Sequence, residues 1–398
     1  MLKNQKICVI GLGYIGLPTA SLLATKGYQV LGVDIRPEIV EIISSGKIHI
    51  VEPGLDILVK SAVHSGNLTA SLKPEVSDIY ILAVPTPFKE NHAPDMSYVE
   101  SAAKSIVKLV KPGDLVILES TSPVGSTEFV KATIDAINPI PGVFYAHCPE
   151  RVIPGKVLEE LVGNDRVVGG VDTQSTEICI EFYKTFVEGE VFATDVRTAE
   201  LCKLTENSFR DVNIAFANEL SMICDTLKIN VWELIKLANR HPRVKILQPG
   251  PGVGGHCIAV DPWFIVSSVP EQARLIRTAR QVNDSKPEWV IHQVVEKAKK
   301  FKSPVIACMG VAFKPDIDDL RESPSLEIAH HLQSLNIGKI LVCEPNVNTL
   351  KGLSLVNCEE AIEQADIILI LVDHKLFKQL PKQVFLDKCV IDTKGLLQ

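Results

Sequence analysis

The chain has 398 residues, of which 46% are hydrophobic and 22% are charged, and its formal net charge is -7 at pH 7. This composition is typical of a soluble globular protein, and the length predicts two or three domains. The acidic balance and the lack of a basic run argue against nucleic acid or an anionic membrane surface as the main partner.

The N-terminal part predicts a parallel sheet. The stretch 6-KICVIGLGYIGLP-18 is an apolar run that ends in glycines, which indicates a buried strand, a tight turn and then a helix. Three further strands are predicted in 28-YQVLGVD-34, 78-DIYILAVPTP-87 and 114-DLVILESTS-122. Because helical stretches separate these strands, they predict βαβ units.

The first turn predicts a dinucleotide site. Gly11, Gly13 and Gly16 form a G-x-G-x-x-G pattern between a strand and a helix, and Asp34 ends the next strand. The first glycine allows the tight turn, the second lets a pyrophosphate approach, and the third brings helix and strand together. Asp34 favours NAD over NADP by binding the ribose hydroxyls. Arg36 is the competing signal, since an arginine there can accept a 2′-phosphate.

The middle of the chain predicts one long helix. Residues 198–228 contain neither Gly nor Pro and show helical periodicity, and Asp195 or Thr198 is a candidate cap. A helix of about 30 residues is about 45 Å long, which is enough to link two domains.

A polar face runs along this predicted helix. Lys203, Asn207 and Arg210 follow one another at i, i+4 and i+7. Most such faces are simply solvated. Because the rest of this helix is largely apolar or small, we expect the face to line a site.

The loop 250-GPGVGGHCIAVDPW-263 presents a cysteine among glycines. Cys257 has His256 beside it and Asp261 four residues later. A core thiol beside a turn is the simpler alternative, but this setting favours a nucleophile.

The C-terminal part repeats the order of the N-terminal strands, in 304-PVIACMGVAFKP-315, 339-KILVCEP-345, 366-DIILILVDH-374 and 389-CVIDTKG-395. We therefore predict an α/β fold in which two Rossmann-like parallel-sheet domains, residues 1–195 and 301–398, are joined by a central helical region, residues 196–300, with one long helix. Lys314 and Arg321 follow the first strand of the second domain and suit a diphosphate, with solvated surface charges as the alternative.

Cysteine usage points to a reducing compartment. Ten cysteines are spread singly from Cys8 to Cys389, without a C-x-x-C pair, so we expect no metal site. The N-terminus resembles no signal peptide, and runs such as 367-IILILV-372 are too short to span a bilayer. We expect a cytoplasmic protein with no membrane partner.

Several long stretches together resemble the UDP-glucose/GDP-mannose dehydrogenase family along the whole chain. They are 84-VPTPFKENHAPDMSYVESA-102, 119-ESTSPVGST-127, 147-HCPERVIPG-155, 203-KLTENSFRDVNIAFANELS-221, 239-NRHPRVKILQPGPGVGGHCIAVDPWFIV-266 and 392-DTKG-395. The resemblance implies an NAD-binding Rossmann domain, a central helix that forms a homodimer, and a UDP-binding Rossmann domain.

The resemblance also implies roles for individual residues. Cys257 is the implied nucleophile and Lys203 the acid/base or oxyanion partner, and the catalytic surroundings comprise Asn207, Asp261, Glu150 and Thr121. The implied cofactor positions are Tyr14, Ile15, Asp34, Thr86 and Thr127, which add to Gly11, Gly13, Gly16 and Arg36 of the turn described above. Arg321 lies in an Arg-Glu-Ser motif that the resemblance implies reaches the ligands. The implied sugar-nucleotide positions are Arg151, Val152, Lys203, Asn207, Arg210, His241, Arg243, Gly254, Phe313, Lys314 and Lys394.

The implied reaction is the four-electron oxidation of a sugar C6 alcohol to a carboxylate, through a Cys257 thiohemiacetal and thioester, with two NAD reduced. The quoted stretches favour UDP-N-acetyl-D-mannosamine and a role in polysaccharide biosynthesis. Pro154 departs from the UDP-glucose branch, which usually has a carboxylate there, and this disfavours glucose. The alternatives are the same chemistry on UDP-N-acetylglucosamine, UDP-glucose or GDP-mannose, an NAD-retaining sugar-nucleotide epimerase, and a non-catalytic sugar-nucleotide sensor.

Overall fold

The structure, a computed structural model, describes residues 5–90, 92–153, 155–255 and 257–398. Pro154 and His256, which their motifs single out, therefore lie outside the described residues. The chain divides into two compact units, one ending at Glu206 and the other running from Asn207 to Gln398. The division falls inside a single long helix, Val196–Leu227.

The first unit is built on an eight-stranded sheet. Its strands are β1 (Lys6–Ile10), β2 (Gln29–Val33), β3 (Leu68–Ser71), β4 (Ile79–Leu82), β5 (Leu115–Leu118), β6 (Phe144–His147), β7 (Arg166–Gly170) and β8 (Val191–Asp195). They lie in the order β3-β2-β1-β4-β5-β6-β7-β8, and all neighbours are parallel except β6 and β7. The first six strands follow the doubly wound dinucleotide-binding order.

Helices cover both faces of this sheet. They are α1 (Gly16–Thr25), α2 (Pro37–Ser44), α3 (Leu55–His64), α4 (Ser97–Ile106), α5 (Ser126–Ile137), α6 (Val157–Gly163), α7 (Thr173–Tyr183) and the start of α8 (Val196–Leu227). Strand β1 shows why both faces of the sheet are buried. Ile7 and Val9 belong to one core cluster and Cys8 and Ile10 to another, because successive side chains point to opposite faces.

The second unit begins with helices and ends with a smaller sheet. After α8 come α9 (Val231–Ala238), α10 (Asp261–Ser268) and α11 (Arg274–Ala298), then α12 (Pro324–Ser334), α13 (Cys358–Gln364), α14 (Lys375–Lys378) and a 3-10 helix at Lys382–Phe385. Its strands are β9 (Val305–Met309), β10 (Lys339–Cys343), β11 (Ser354–Leu355), β12 (Ile367–Ile370) and β13 (Cys389–Asp392). All pair in parallel, in the order β11-β10-β9-β12-β13.

The predicted fold class is confirmed, with a Rossmann-like parallel sheet near each end and one long helix between them. The Asp195 carboxylate caps that helix, since it accepts a hydrogen bond from the Thr198 backbone N–H at 3.0 Å. Among the described residues, no helix combines the length and apolarity that a membrane crossing requires. The limits of the three predicted domains stay a prediction.

Candidate active site

The glycine-rich turn after β1 is shaped for a pyrophosphate. Gly11 has φ +95°, and a Cβ atom there would lie 2.5 Å from the Ala83 carbonyl oxygen. A Cβ at Gly16 would lie 1.8 Å from the Gly11 carbonyl oxygen, so helix and turn meet in close contact. Beside Gly13, by contrast, a Cβ would meet no heavy atom within 4 Å among the described residues. The turn therefore offers open space at the start of α1, where backbone amides attract anions, and its residues fit a dinucleotide.

The carboxylate of Asp34 ties this turn to the end of β2. It accepts hydrogen bonds from the backbone N–H groups of Leu12, at 3.2 Å, and Arg36, at 3.0 Å. The Arg36 guanidinium also contacts it, with Nε 3.3 Å from Oδ1. Asp34, which favours NAD, and Arg36, which could bind the 2′-phosphate of NADP, thus lie together beside the glycine-rich turn.

Four other predicted cofactor residues lie in the same unit. Tyr14 is exposed and Ile15 half-buried in the glycine-rich turn. Thr86, after β4, donates its hydroxyl to the carbonyl of Thr121, after β5, at 2.5 Å. The hydroxyl of Thr127 is already engaged, because it donates to the Glu200 carboxylate at 2.8 Å.

Glu200 is a buried acid that the sequence analysis did not identify. It lies on α8 and accepts from the backbone N–H groups of Gly125 and Thr127, at 2.6 and 2.8 Å, at the start of α5. Burial raises the pKa of its carboxyl, and these hydrogen bonds oppose the rise. A carboxylate that accepts backbone N–H groups at a helix start acts as an N-terminal cap supplied by a distant segment.

Glu150 is buried in an ion pair. Its Oε2 accepts from Arg166 Nη1 at 2.7 Å, and both side chains are at least 95% buried. Its Oε1 accepts from the Arg151 backbone N–H at 2.7 Å. Glu150 is therefore held rigidly, and Arg166 is a partner that the sequence analysis missed.

A second buried acid lies next to this pair. Glu119 accepts a hydrogen bond from the Tyr183 hydroxyl at 2.7 Å. Burial raises the pKa of Glu119 to about 7, and the Glu150 carboxylate adds to the rise. Two carboxylates and one guanidinium thus share a water-excluded region behind the 147-HCPERVIPG-155 motif.

The remaining part of that motif meets α8 within the first unit. Arg151 forms an ion pair with Glu206, at 2.6 Å, and donates to the Asp165 carbonyl at 3.2 Å. Val152 packs against a core cluster of the sheet. Lys203, one turn before Asn207 on α8, is half-buried.

In the second unit, the predicted catalytic residues Asn207 and Asp261 touch. Asn207 Nδ2 donates to Asp261 Oδ2 at 2.5 Å, and the two residues are 5% and 3% exposed. Asp261 is also the first residue of α10, and its backbone N–H donates to the Cys257 carbonyl at 2.9 Å. The turn that carries Cys257 therefore leads directly into the buried Asn207–Asp261 pair.

Cys257 stands apart from the other thiols. Among the ten cysteines, all of which lie in the described part of the chain, Cys257 alone is exposed. Burial raises the pKa of Cys8, Cys148 and Cys308 to about 12, which keeps these thiols protonated and unreactive. Cys257 is therefore an exposed thiol on a turn that precedes the buried carboxylate of Asp261, a position that suits a nucleophile.

The glycines of the Cys257 loop allow the loop to pack tightly against the rest of the second unit. A Cβ at Gly254 would lie 2.3 Å from the Glu322 carbonyl oxygen, and one at Gly255 would lie 2.9 Å from the Phe313 ring. A Cβ at Gly252 would lie 2.8 Å from the Pro324 side chain. At these three positions the chain itself fills the space beside the glycine, so a glycine is needed for the loop to pack this closely.

Some predicted sugar-nucleotide residues of the second unit are brought together and others are not. Phe313 lies against Gly254 and Gly255, and Lys394 Nζ lies 3.6 Å from a Cβ built on Gly250. Lys394 Nζ is also 3.6 Å from Asp373 Oδ1. Five other predicted residues are exposed, and Arg321 among them pairs with Asp319; the five are Arg210, His241, Arg243, Lys314 and Arg321.

Comparison with known proteins finds three domains of one family along the chain. Residues 5–187, 197–285 and 307–398 match the NAD binding, central and UDP binding domains of the UDP-glucose/GDP-mannose dehydrogenase family. An NDP-N-acetyl-D-galactosaminuronic acid dehydrogenase from Ralstonia nicotianae is 55% identical, over 98% of this chain and 96% of its own length. A UDP-N-acetyl-D-mannosamine dehydrogenase from Campylobacter jejuni is also 55% identical, over 98% of this chain and 100% of its own. Among solved structures, a UDP-N-acetyl-mannosamine dehydrogenase from S. aureus is 43% identical with a TM-score of 0.90, covering 99% of this chain and 96% of that one.

Proposed function

The chain belongs to the UDP-glucose/GDP-mannose dehydrogenase family, and from this premise we propose that it oxidises the C6 alcohol of UDP-N-acetyl-D-mannosamine to UDP-N-acetyl-D-mannosaminuronate. The chain is an NAD-dependent nucleotide-sugar dehydrogenase, and NAD is its cofactor. The mannosamine assignment is supported by the C. jejuni relative, which matches nearly the whole chain.

The observation that carries the proposed chemistry is the arrangement around Cys257. An exposed thiol lies in a turn whose carbonyl accepts from the Asp261 N–H, and Asp261 is paired with Asn207. Lys203 lies one turn earlier than Asn207 on the same helix. These are a nucleophile, an acid and a cation, which are the groups that oxidation through a thioester needs.

The reaction proceeds in two oxidations and one hydrolysis. When bound, NAD accepts one hydride in each oxidation. In the first oxidation the C6 carbon loses a hydride and its hydroxyl releases a proton to solvent, which leaves an aldehyde. The Cys257 thiolate then adds to C6 and forms a thiohemiacetal, whose oxyanion Lys203 stabilises. Loss of the second hydride leaves a thioester on Sγ. Water cleaves it to the carboxylate and the thiolate and releases two protons, of which Asp261 takes one and solvent the other.

Two further groups support the hydrolytic step in this proposal. Glu150 and Thr121 lie at the carboxyl ends of neighbouring strands, where parallel sheets bind ligands. Covalent capture by Cys257 also keeps the aldehyde from escaping while the reduced cofactor is exchanged.

We assign NAD to residues 1–195, the thiol chemistry to residues 196–300 and the UDP group to residues 301–398. The matched family domains support these three assignments. The sugar-nucleotide assignment of Gly254, Phe313 and Lys394 is supported by their common position beside the Cys257 loop.

A homodimer through the central helix is supported by an apolar stripe. Phe209, Phe216 and Ile223 follow one another at steps of seven on α8 and are 69%, 52% and 46% exposed. This spacing places them on one face of the helix. A second copy of the chain is the proposed occupant. Phe216→Glu should shift the molar mass measured by light scattering from dimer to monomer, whereas Leu275→Glu, at an exposed position on α11, should leave it unchanged.

One other sugar is favoured by a specific observation. The R. nicotianae relative, named for a galactosaminuronic acid, is as identical to this chain as the C. jejuni relative. The N-acetylgalactosamine sugar nucleotide is therefore the second candidate substrate.

The deciding experiment is a panel of nucleotide sugars scored by NADH formation. It compares UDP-N-acetylmannosamine, UDP-N-acetylgalactosamine, UDP-N-acetylglucosamine, UDP-glucose and GDP-mannose by kcat/KM. The mannosamine compound should give the highest value, with two NADH per uronate. A higher kcat/KM for another nucleotide sugar would change the proposed substrate but leave the proposed reaction chemistry in place. Interconversion of sugars without net NADH would indicate an epimerase instead.

A further inference from the structure

A buried polar seam joins helices α8 and α11 in the second unit. Arg280 Nη1 donates to Asp211 Oδ1 at 2.6 Å, and Asn283 Nδ2 donates to the same oxygen at 2.8 Å. Asn218 Nδ2 continues the chain by donating to Asn283 Oδ1 at 2.8 Å. All four residues are at most 1% exposed, so this network lies in a low-dielectric interior.

The seam reaches the loop that carries Cys257 at two points. At the start of the loop, the Gly250 backbone N–H donates to Asn218 Oδ1 at 2.9 Å. At its end, Arg280 Nη1 also contacts the Ile258 carbonyl, at the longer distance of 3.5 Å. The two contacts flank Cys257, and both originate in the same hydrogen-bonded network.

The spacing along α8 connects the seam with the proposed catalytic residues. Asp211 lies one turn after Asn207 and Asn218 lies two turns further, so all three share the face opposite to Phe209 and Phe216. Asn207 holds Asp261, three residues beyond Ile258. One helix face therefore contacts residues before and after the thiol.

Stability alone does not account for the seam. A buried ion pair adds little net stability over apolar packing of the same volume. A glycine-rich loop, however, has an unusually large conformational entropy to lose, and it needs fixed contacts to keep one geometry. The side chains of the seam supply such contacts to the loop backbone.

We infer that Asp211, Asn218, Arg280 and Asn283 form a buried clamp that positions the Cys257 loop for reaction. They are positioning residues, since they act on the loop backbone and not on the reacting atoms. The inference rests on the proposed function in one respect, namely that the Cys257 thiol is the reacting group.

The test compares two neighbouring residues of α8. Asn218→Ala removes the acceptor of the Gly250 N–H. Ser221→Ala is the matched control, because Ser221 accepts from Lys286 Nζ at 2.6 Å in the same α8–α11 interface but does not bond to the loop. Asn218→Ala removes two hydrogen bonds, one to Asn283 and one from Gly250. Ser221→Ala also removes two, one from Lys286 and one to the Asn218 carbonyl, so both substitutions should lower the thermal midpoint by similar amounts.

The two variants should differ in the loop. Asn218→Ala should speed hydrogen exchange of the amides at 252–258 by about tenfold or more, and lower kcat by about tenfold, with KM for NAD unchanged. Ser221→Ala should stay within about twofold of wild type in both quantities. If Asn218→Ala does not fold, Arg280→Lys is the second variant. It keeps a positive charge beside Asp211 but loses the guanidinium that reaches the Ile258 carbonyl, so it should speed hydrogen exchange of the amides at 257–260.

Equal exchange in Asn218→Ala and Ser221→Ala would overturn the clamp, as would faster exchange with an unchanged kcat. NADH formation by the wild-type enzyme distinguishes a failure of this inference from a failure of the proposed function. If no sugar nucleotide yields NADH with the wild-type enzyme, the proposed function fails, and the exchange rates still decide whether the seam orders the loop.

Discussion

Asn207 donates a hydrogen bond to Asp261, at 2.5 Å, from one buried side chain to another. The bond joins the long helix α8 to the first residue of α10, four residues after Cys257. The bond fixes the orientation of the carboxyl group that we propose as the base in thioester hydrolysis.

The first prediction concerns Asp261. Asp261→Asn keeps the size of the side chain but removes the base that we propose for thioester hydrolysis. General bases typically contribute about 10²–10⁴-fold, so kcat should fall by at least about 10²-fold with little change in the substrate KM. Intact-mass spectrometry should detect the acyl adduct on Cys257 after mixing with NAD and substrate. Absence of an adduct, together with near wild-type turnover, would assign the base elsewhere.

The second prediction concerns Cys257. Cys257→Ala should stop uronate formation, lowering kcat by about 10⁴-fold or more, because the aldehyde has no thiol to add to. Binding of substrate should change little. Cys389→Ala, at a half-buried position on β13, is the control and should keep wild-type turnover. A Cys257→Ala enzyme that made two NADH per uronate at the wild-type rate would instead indicate oxidation of the aldehyde hydrate.

The third prediction concerns Asp34. Its carboxylate holds the Leu12 and Arg36 N–H groups and lies against the Arg36 guanidinium. Asp34→Ala should raise KM for NAD by about 10- to 100-fold, the range for a lost hydrogen bond to a charged group. It should also improve the use of NADP, because the carboxylate that repels a 2′-phosphate is gone. Adding Arg36→Ala should cancel that improvement; if it does not, Arg36 is not the phosphate-binding group.

The local parts of the fold were predictable because their signals lie close together in the sequence. The strand–turn–helix pattern predicts both the turn Gly11–Gly16 and the acid at Asp34. The capping of α8 by Asp195 is predictable because this side chain directly precedes a long run without glycine or proline. Four strands of the first unit, β3, β6, β7 and β8, were not predicted. The segment 166-RVVGG-170 begins with an arginine and ends in glycines, which weakens a strand pattern.

The buried charges could not be found in this way. Arg166 is 16 residues from Glu150, and Arg280 is 69 residues from Asp211, so only the folded chain brings each pair together. One signal was present for Asp211, which extends the spacing of Lys203 and Asn207 by a further turn. The packing of the Cys257 loop was also not predictable from its glycines. A glycine pattern predicts that something approaches the backbone closely, but it does not show whether that is a ligand or the chain itself.

The fourth prediction uses Glu119, whose pKa burial raises from 4.5 to about 7. Between these values the folded chain holds the proton and the unfolded chain releases it, so this group stabilises the fold below about pH 4.5, and that stability is lost as the pH rises through 7. The loss corresponds to at most about 3 kcal/mol. Glu119→Gln cannot titrate, so its unfolding midpoint relative to wild type should rise between pH 5 and pH 8. Glu181→Gln, at an exposed position on α7, is the control and should show a constant difference. A constant difference for Glu119→Gln as well would mean that the wild-type carboxyl is ionised in the fold throughout this range, with Arg166 offsetting the cost of burial.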